Sequence, residues 1–407
     1  MIGMKTLSLL FAAIVTTAAP AQPAAVPFPR SQHAGPFASG HVQGIAVDRE
    51  RGYIYYSFTN LLAKYDFKGR LVGTLVGWSG HLGDLDFNDA DGQVYGSLEY
   101  GKQNAFYIAV IDGEKIDRIG IPVEGSGIMR TVYLPEVTRD YAAPGHRYGC
   151  SGIDGVAFGP AFGRTGGKRY LTVAYGIYGD VQRRDNDHQV LLQYDAADWS
   201  RTAEPLAEAR LHREGPRRPR TKAFLRTGNT RYGIQNLAYD PTLKRWFMGV
   251  YKGAKASFPN YGLFAFEASA KPARGDLTGV ASPSGNGWEQ GKLLHLAQDG
   301  QHDAGSSVRG WHQKADVGLQ PLGGGLYYLA VNEGRPQEQS ASIFLMRWSG
   351  NADKPFVPSA DPMDGGLRRR GQVQSSISTR ALRCAKSTLH HTENSKFPAC
   401  LWPDWSA

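Results

Sequence analysis

Short apolar runs, broken by Asp, Gly and Lys turns, recur from Gly44 to Gly350. GIAVDRERGYIYYSFTNLLAKYDFKGRLVGTL (Gly44 to Leu75) reads as strand, Asp-containing turn, strand, short turn, strand, Lys-Gly turn, strand. GDLDFNDADGQVYGSLEY, followed by NAFYIAVIDGEKIDRIGI, repeats that plan from Gly83. It returns as GIDGVAFG…RYLTVAYGIYG…HQVLLQYDAADW, as GIQNLAYDPTLKRWFMGVYKG…YGLFAFEAS, and as GLQPLGGGLYYLAVNEG…SASIFLMRWSG. Each copy has an apolar first strand, a D/G turn, an aromatic-rich second strand, a loop and an alternating third strand. No stretch carries a convincing run at 3.6-residue periodicity, so the pattern predicts an all-β protein.

A four-stranded unit of this kind cannot bury both faces alone. Copies must stack radially, which is the logic of a β-propeller. About 330 residues from Gln22 to Gly350, at roughly 40–50 per blade, predict a seven-bladed β-propeller, or six blades with long insertions. A β-sandwich or a two-domain β protein is the alternative. Ala203 to Thr230, charged and rich in Pro and Arg, reads as a long insertion between strands. Asn351 to Ala407 loses the alternation and reads as a C-terminal extension, either flexible or packed on the outside.

The first 21 residues change the setting. Lys5 gives a positive start, Thr6 to Ala19 an apolar stretch, and Ala19-Pro20-Ala21 an A-x-A cleavage site. That is the pattern of a secretory signal peptide, so residues 22–350 are expected to act in a periplasm or outside the cell. No later stretch has the roughly 20 apolar residues of a spanning helix. The chain has 407 residues, 50 of them glycine, with 17 Phe and 20 Tyr, which suits many short strands and tight turns. Its three cysteines cannot all pair: Cys384 and Cys400 could bridge, while Cys150 reads as a small buried side chain. The net charge of +9 suits an acidic partner. Much of it lies in REGPRRPR (Arg213 to Arg220) and LRRR (Leu367 to Arg370), with no aromatics between the charges, which argues against nucleic acid.

Candidate chemistry gathers where copies begin, because propeller sites form where the innermost strands start. The openings are HVQG (His41 to Gly44), GHLGD (Gly80 to Asp84), RYGCSGIDG (Arg147 to Gly155) and RYGIQN (Arg231 to Asn236). Each sets a His or an Arg-Tyr pair near its glycine. The plainer reading makes His41 and His81 blade caps, and Arg231 and Tyr232 a rim ion pair and a stacked ring. Asp84 and Asp86, on one face beside a turn, are no convincing acid pair. RRDNDHQ (Arg183 to Gln189) reads first as a turn; Asp185, Asn186 and Asp187 could hold a structural divalent cation but lack full calcium-loop spacing. No other cofactor is expected, and no HExxH, CxxC, P-loop or GxSxG pattern is present.

HVQGIAV, YSFTNLLAKYD, GHLGDL, YGSLEY, RYGCSGIDGVAFGP, DNDHQVLLQYD and RYGIQNLAYDP, in that order, resemble the seven-bladed propeller polysaccharide lyases, the ulvan lyases and related rhamnose–glucuronate lyases. The resemblance implies β-elimination at a rhamnose-α-1,4-glucuronate linkage. It implies His81 and Tyr148 as proton-transfer groups, Arg164 as the residue that neutralises the uronate, and Arg231 and Tyr232 as sugar-binding residues. Family members often carry a second histidine after the segment matching YGSLEY; this chain reads GKQN there, leaving Lys102 or Gln103 to fill that space. The histidine of HVQG, His41, keeps a related propeller rhamnosidase in view, and a non-catalytic carbohydrate-binding propeller is the third reading. The expected partner is an anionic, uronate-containing polysaccharide met by a monomer, with neither nucleic acid nor membrane involved.

Overall fold

The five readable copies of the repeat become five blades, not the seven or six that chain length predicts. The computed structural model describes residues 27–359. Residues 1–26, where the signal peptide is expected, Cys384, Cys400 and the extension from residue 360 lie outside the described residues.

Blade 1 comprises Val42–Asp48, Tyr53–Phe58, Leu61–Asp66 and Leu71–Val76; blade 2 comprises His81–Asn88, Gln93–Tyr100, Ala105–Ile111 and Met129–Tyr133. Blade 3 is Cys150–Pro160, Arg169–Ile177, His188–Tyr194 and Thr221–Arg226. Blade 4 has three strands, Thr230–Asp240, Arg245–Lys252 and Leu263–Glu267. Blade 5 joins Leu319–Gly323, Leu326–Arg335 and Glu338–Trp348 to the N-terminal strand Ser31–Phe37, which pairs antiparallel with Glu338–Trp348. The first strand of the chain therefore closes the ring through the last blade.

Length overestimates the blade number because the connections are long. Trp288–Leu294 and Ala273–Ala281 form a hairpin added to the outer edge of blade 3. The Arg- and Pro-rich insertion gives blade 2 an outer strand at Glu204–Pro205, then returns to supply blade 3 with Thr221–Arg226. A helix, Pro135–Ala142, bridges blades 2 and 3. Past Gly350, Phe356–Pro358 still pairs with Glu338–Trp348, so blade 5 outlasts the repeat pattern.

The core lies between neighbouring blades. The innermost strands pack in a ring, blade 1 on 2, 2 on 3, 3 on 4, 4 on 5 and 5 back on 1. The ring strands of blades 1 to 4 are mostly buried, hence their apolar composition. Close approach between blades requires glycine at Gly44, where a Cβ would lie 2.6 Å from Asp84 Cα. The axis itself is filled. Asp84 Oδ2 accepts the backbone N–H groups of Val156 (3.0 Å) and Leu237 (2.9 Å), while Asn236 Nδ2 donates to Asp84 Oδ1 and to the Gln43 carbonyl, both at 2.8 Å. The Asp84 carboxyl thereby ties blades 2, 3 and 4 together, and Asn236 extends the tie to blade 1, closing the floor of the channel. Asp86 repeats the device lower on the strand, accepting from Phe158 N at 2.7 Å.

Candidate active site

Above that floor, the starts of the innermost strands and the ends of the second strands form a polar ring. Near their starts, the innermost strands of blades 1 to 4 carry bulges, which turn side chains off the regular alternation. Blade 1 contributes His41 and Gln43, blade 2 His81 and Glu99, blade 3 Asp154, and blade 4 Gln235 and Tyr251. Asp316, just ahead of the inner strand of blade 5, completes it. Gln43, Asp154 and Gln235 occupy the same place in their repeats, one residue before Gly44, Gly155 and Asn236.

Two linked groups define the chemistry. In the first, His41 Nε2 shares a hydrogen bond with Tyr251 Oη at 3.0 Å and lies 3.2 Å from Gln43 Nε2. Burial, with His81 and Lys314 adding positive charge nearby, lowers the His41 pKa and favours neutral imidazole. Burial, reinforced by Asp316 and Asp154, holds the Tyr251 phenol well above its ordinary range, so it keeps its proton. In the second group, His81 Nδ1 faces Glu99 Oε1 at 3.5 Å, and these residues are directly opposed on neighbouring strands. Burial works to discharge His81, but the hydrogen bond to Glu99 and the charge of Asp154 outweigh it and raise its pKa. Asp154 accepts from Gln235 Nε2 at 2.9 Å; burial and the neighbouring Glu99 push its pKa up to about 8 against the pull of His81. The mouth thus holds an imidazole pushed toward its neutral form beside a phenol that keeps its proton, and a histidine facing Glu99 beside a buried carboxyl that holds its proton to about pH 8. Asp316, raised to about 6 by burial, changes charge near the same pH.

The wall around His41 has a different character. A cavity of about 500 Å³ opens there, lined by Ser39, Gly40, Asn60, Asn332, Gln337 and Gln339 among others. Amides and a hydroxyl suit the uncharged hydroxyls of a sugar.

The residues predicted from sequence divide. His41 and His81 lie in the ring. Arg231 stands at the mouth, directly opposite Tyr251 on the neighbouring strand and exposed; among the described residues it has no ion-pair partner. Tyr232 is also exposed, in the left-handed conformation at φ 60°. Arg147-Tyr148-Gly149 adopts the same backbone, with Tyr148 at φ 58°, so the two RYG motifs are one turn used twice. Their tyrosines have opposite fates. Tyr148 is buried, donates to Glu289 Oε1 at 2.6 Å, and packs on Phe224 of the outermost four-strand position of blade 3. Burial, with Glu289 adding to it, pushes its pKa far up. Its hydroxyl is thus engaged on the outer half of the blade, away from His81. Arg164 is exposed in the turn after Pro160, at the far end of the strand that begins at Cys150. An 11-residue strand at roughly 3.3 Å per residue separates the two ends, so Arg164 does not join the ring. Lys102 and Gln103 are exposed in the turn after Tyr100, on the His81 side but outside the ring.

Two other sequence features are used internally. In RRDNDHQ, Asp185 pairs with Arg183, and Lys255 Nζ donates to both Asn186 Oδ1 and Asp187. An ammonium thus occupies the centre of that cluster. Cys150 is free and buried. Glu99, Asp154, Gln235, Tyr251 and Asp316 were missed by sequence reasoning. Repeat position would have found Asp154 and Gln235; Glu99 and Tyr251 needed the strand register.

No family model matches the chain, and no curated protein matches it. Among solved structures it is similar to the Dos1 propeller, with 12% identity, 78% of this chain and 68% of that chain covered, and a TM-score of 0.33. It is similar to the soluble aldose sugar dehydrogenase from Escherichia coli (12% identity, 77% and 99% covered, TM-score 0.35). A GH43 β-1,3-galactosidase gives 11% identity, 80% and 97% covered, and a TM-score of 0.36. Likeness at this level transfers no chemistry, and the β-propeller assignment stands on the blades themselves. Among the described residues no helix is long and apolar enough to cross a membrane.

Proposed function

We propose that this propeller is a carbohydrate-active enzyme that cleaves a rhamnose–glucuronate-type linkage by β-elimination at the mouth of its channel. The observation that carries the reading is the His41–Tyr251 hydrogen bond, which joins a neutral base to a protonated phenol at 3.0 Å. His41, in the tautomer that donates Nε2–H to Tyr251 Oη, takes the C5 proton of the uronate at Nδ1. The C4–O bond breaks as the C4–C5 double bond forms, and the leaving oxygen takes the proton of Tyr251. The imidazolium then gives its Nε2 proton to the phenolate along the same hydrogen bond, restoring a neutral imidazole and a phenol without an outside reagent. Abstraction at C5 places charge on a carboxylate that is already negative. Arg231, opposite Tyr251, offsets that charge in this reading with a planar two-point contact. The amide-lined cavity beside His41 would take the neutral neighbouring sugar.

Hydrolysis is the second reading, and one observation favours it. Asp154, retaining its proton to about pH 8 beside Glu99, suits the general acid of glycoside cleavage. Product analysis on a rhamnose–glucuronate polymer separates the two. Elimination gives an ultraviolet-absorbing unsaturated uronate and fails on the carboxyl-reduced polymer; hydrolysis gives new reducing ends without absorbance and tolerates the reduction.

A further inference from the structure

We infer that the outer flank of blade 3 carries a second, non-catalytic groove that binds an acidic oligosaccharide. A cavity of about 590 Å³ lies between the fourth strand of the blade and its added hairpin. Its charges are unevenly used. Glu136 is held by Arg139 and by Lys222 at 3.1 Å, and Glu289 by Arg147 at 2.7 Å and the Tyr148 hydroxyl at 2.6 Å. Arg218, Arg274 and Lys292 also line the groove and have no carboxylate partner among the described residues; Arg220 lines it too, close enough to Asp195 to lower that carboxyl's pKa but not ion-paired with it. Arg220 is steadied instead by the Tyr170 ring, 4.8 Å away. The two acids are engaged and three cations are not, so the groove is built to receive negative charge.

A second, independent feature indicates what carries that charge. Trp288 is 41% exposed on the hairpin strand, at the end of the run Glu289, Gln290, Gly291 and Lys292 that lines the groove. An apolar ring plane beside guanidinium groups suits a sugar face bearing a carboxylate or sulfate. A single-stranded nucleic acid would call for successive aromatic platforms along the track, and the groove has one. The choice of a uronate polymer as ligand rests on the proposed function; the groove's appetite for anions does not.

Affinity electrophoresis of the full chain through gels containing polyglucuronate tests the inference, with Arg231→Ala as background so that the channel mouth adds little retention. Retardation is expected in polyglucuronate, declining with salt, and absent in neutral dextran. Arg274→Ser combined with Lys292→Ser, both at exposed positions, should weaken it roughly tenfold or more, and Trp288→Ala should weaken it as well. Unchanged retardation in the Arg274/Lys292 variant overturns the groove. Equal retardation by single-stranded DNA, sensitive to the same substitutions, overturns the choice of ligand. Loss of polyglucuronate binding in these variants, with no elimination product from the unaltered chain, would uphold the groove and reject the proposed function instead.

Discussion

At the scale of single residues, the molecule uses carboxyl groups for two distinct purposes. Asp84 is structural: it satisfies two backbone N–H groups and the Asn236 amide where four blades meet. Asp84→Ala strands the two backbone donors, each worth about 1–3 kcal/mol when left unpaired, and chemical denaturation should show a loss of several kcal/mol. Asp154 shows itself through pH instead. Its folded pKa of about 8 lies above the ordinary carboxyl value of 3.8, so the folded chain binds the extra proton and Asp154 stabilises it at low pH. That contribution disappears as pH rises through about 8. Neutral-favouring His41 and His188 act oppositely, but only below the ordinary histidine value of 6.5. Denaturation midpoints should therefore fall between about pH 6.5 and 8 in the unaltered protein, and Asp154→Asn should flatten that fall. A slope unchanged in the variant would assign the titration to other groups.

The recurring element is a glycine-bearing entry turn into each innermost strand, and it also sets what the sequence could reveal. Gly233 has φ 74°, and a Cβ there would collide with the Tyr175 carbonyl oxygen; Gly125 has the same φ with nothing within 4 Å. Gly233→Ala should cost roughly 1–3 kcal/mol more than Gly125→Ala, read as a lower melting temperature. Equal costs would mean that conformation, not blade contact, selects glycine at Gly233. The inner strands were legible because HVQG, GHLGD, RYGCSGIDG and RYGIQN repeat one plan, and that plan singled out His41 and His81. Glu99 and Tyr251 were not, since they lie at the ends of second strands and reach the site only through cross-strand register. ARGDLTGVA and WEQGKLL form a largely exposed hairpin with no core face to enforce a readable alternation. Arg164 and Tyr148 share a motif with the inner strand, but proximity in sequence misleads here. A long strand carries Arg164 to the opposite end, and the chain reaches Cys150 only after Tyr148 has docked on the outer blade.

For the whole molecule, five blades make a ring narrow enough for one Asp–Asn pair to close its axis, leaving a shallow mouth that every blade helps to line. Chain length overstated the ring because it counts hairpin, helix and insertion as if they were blades. The central claim is that chemistry takes place at this mouth, between His41 and Tyr251, and not at the Tyr148 cleft. The most direct test is the initial rate of ultraviolet absorbance on a rhamnose–glucuronate polymer, compared for folded Tyr251→Phe and Tyr148→Phe proteins. Removing a proton-transfer group costs about 10²–10⁴-fold. The account predicts a loss of that order for Tyr251→Phe and a rate close to that of the unaltered protein for Tyr148→Phe. The reverse pattern, with Tyr148→Phe inactive and Tyr251→Phe unimpaired, would contradict it.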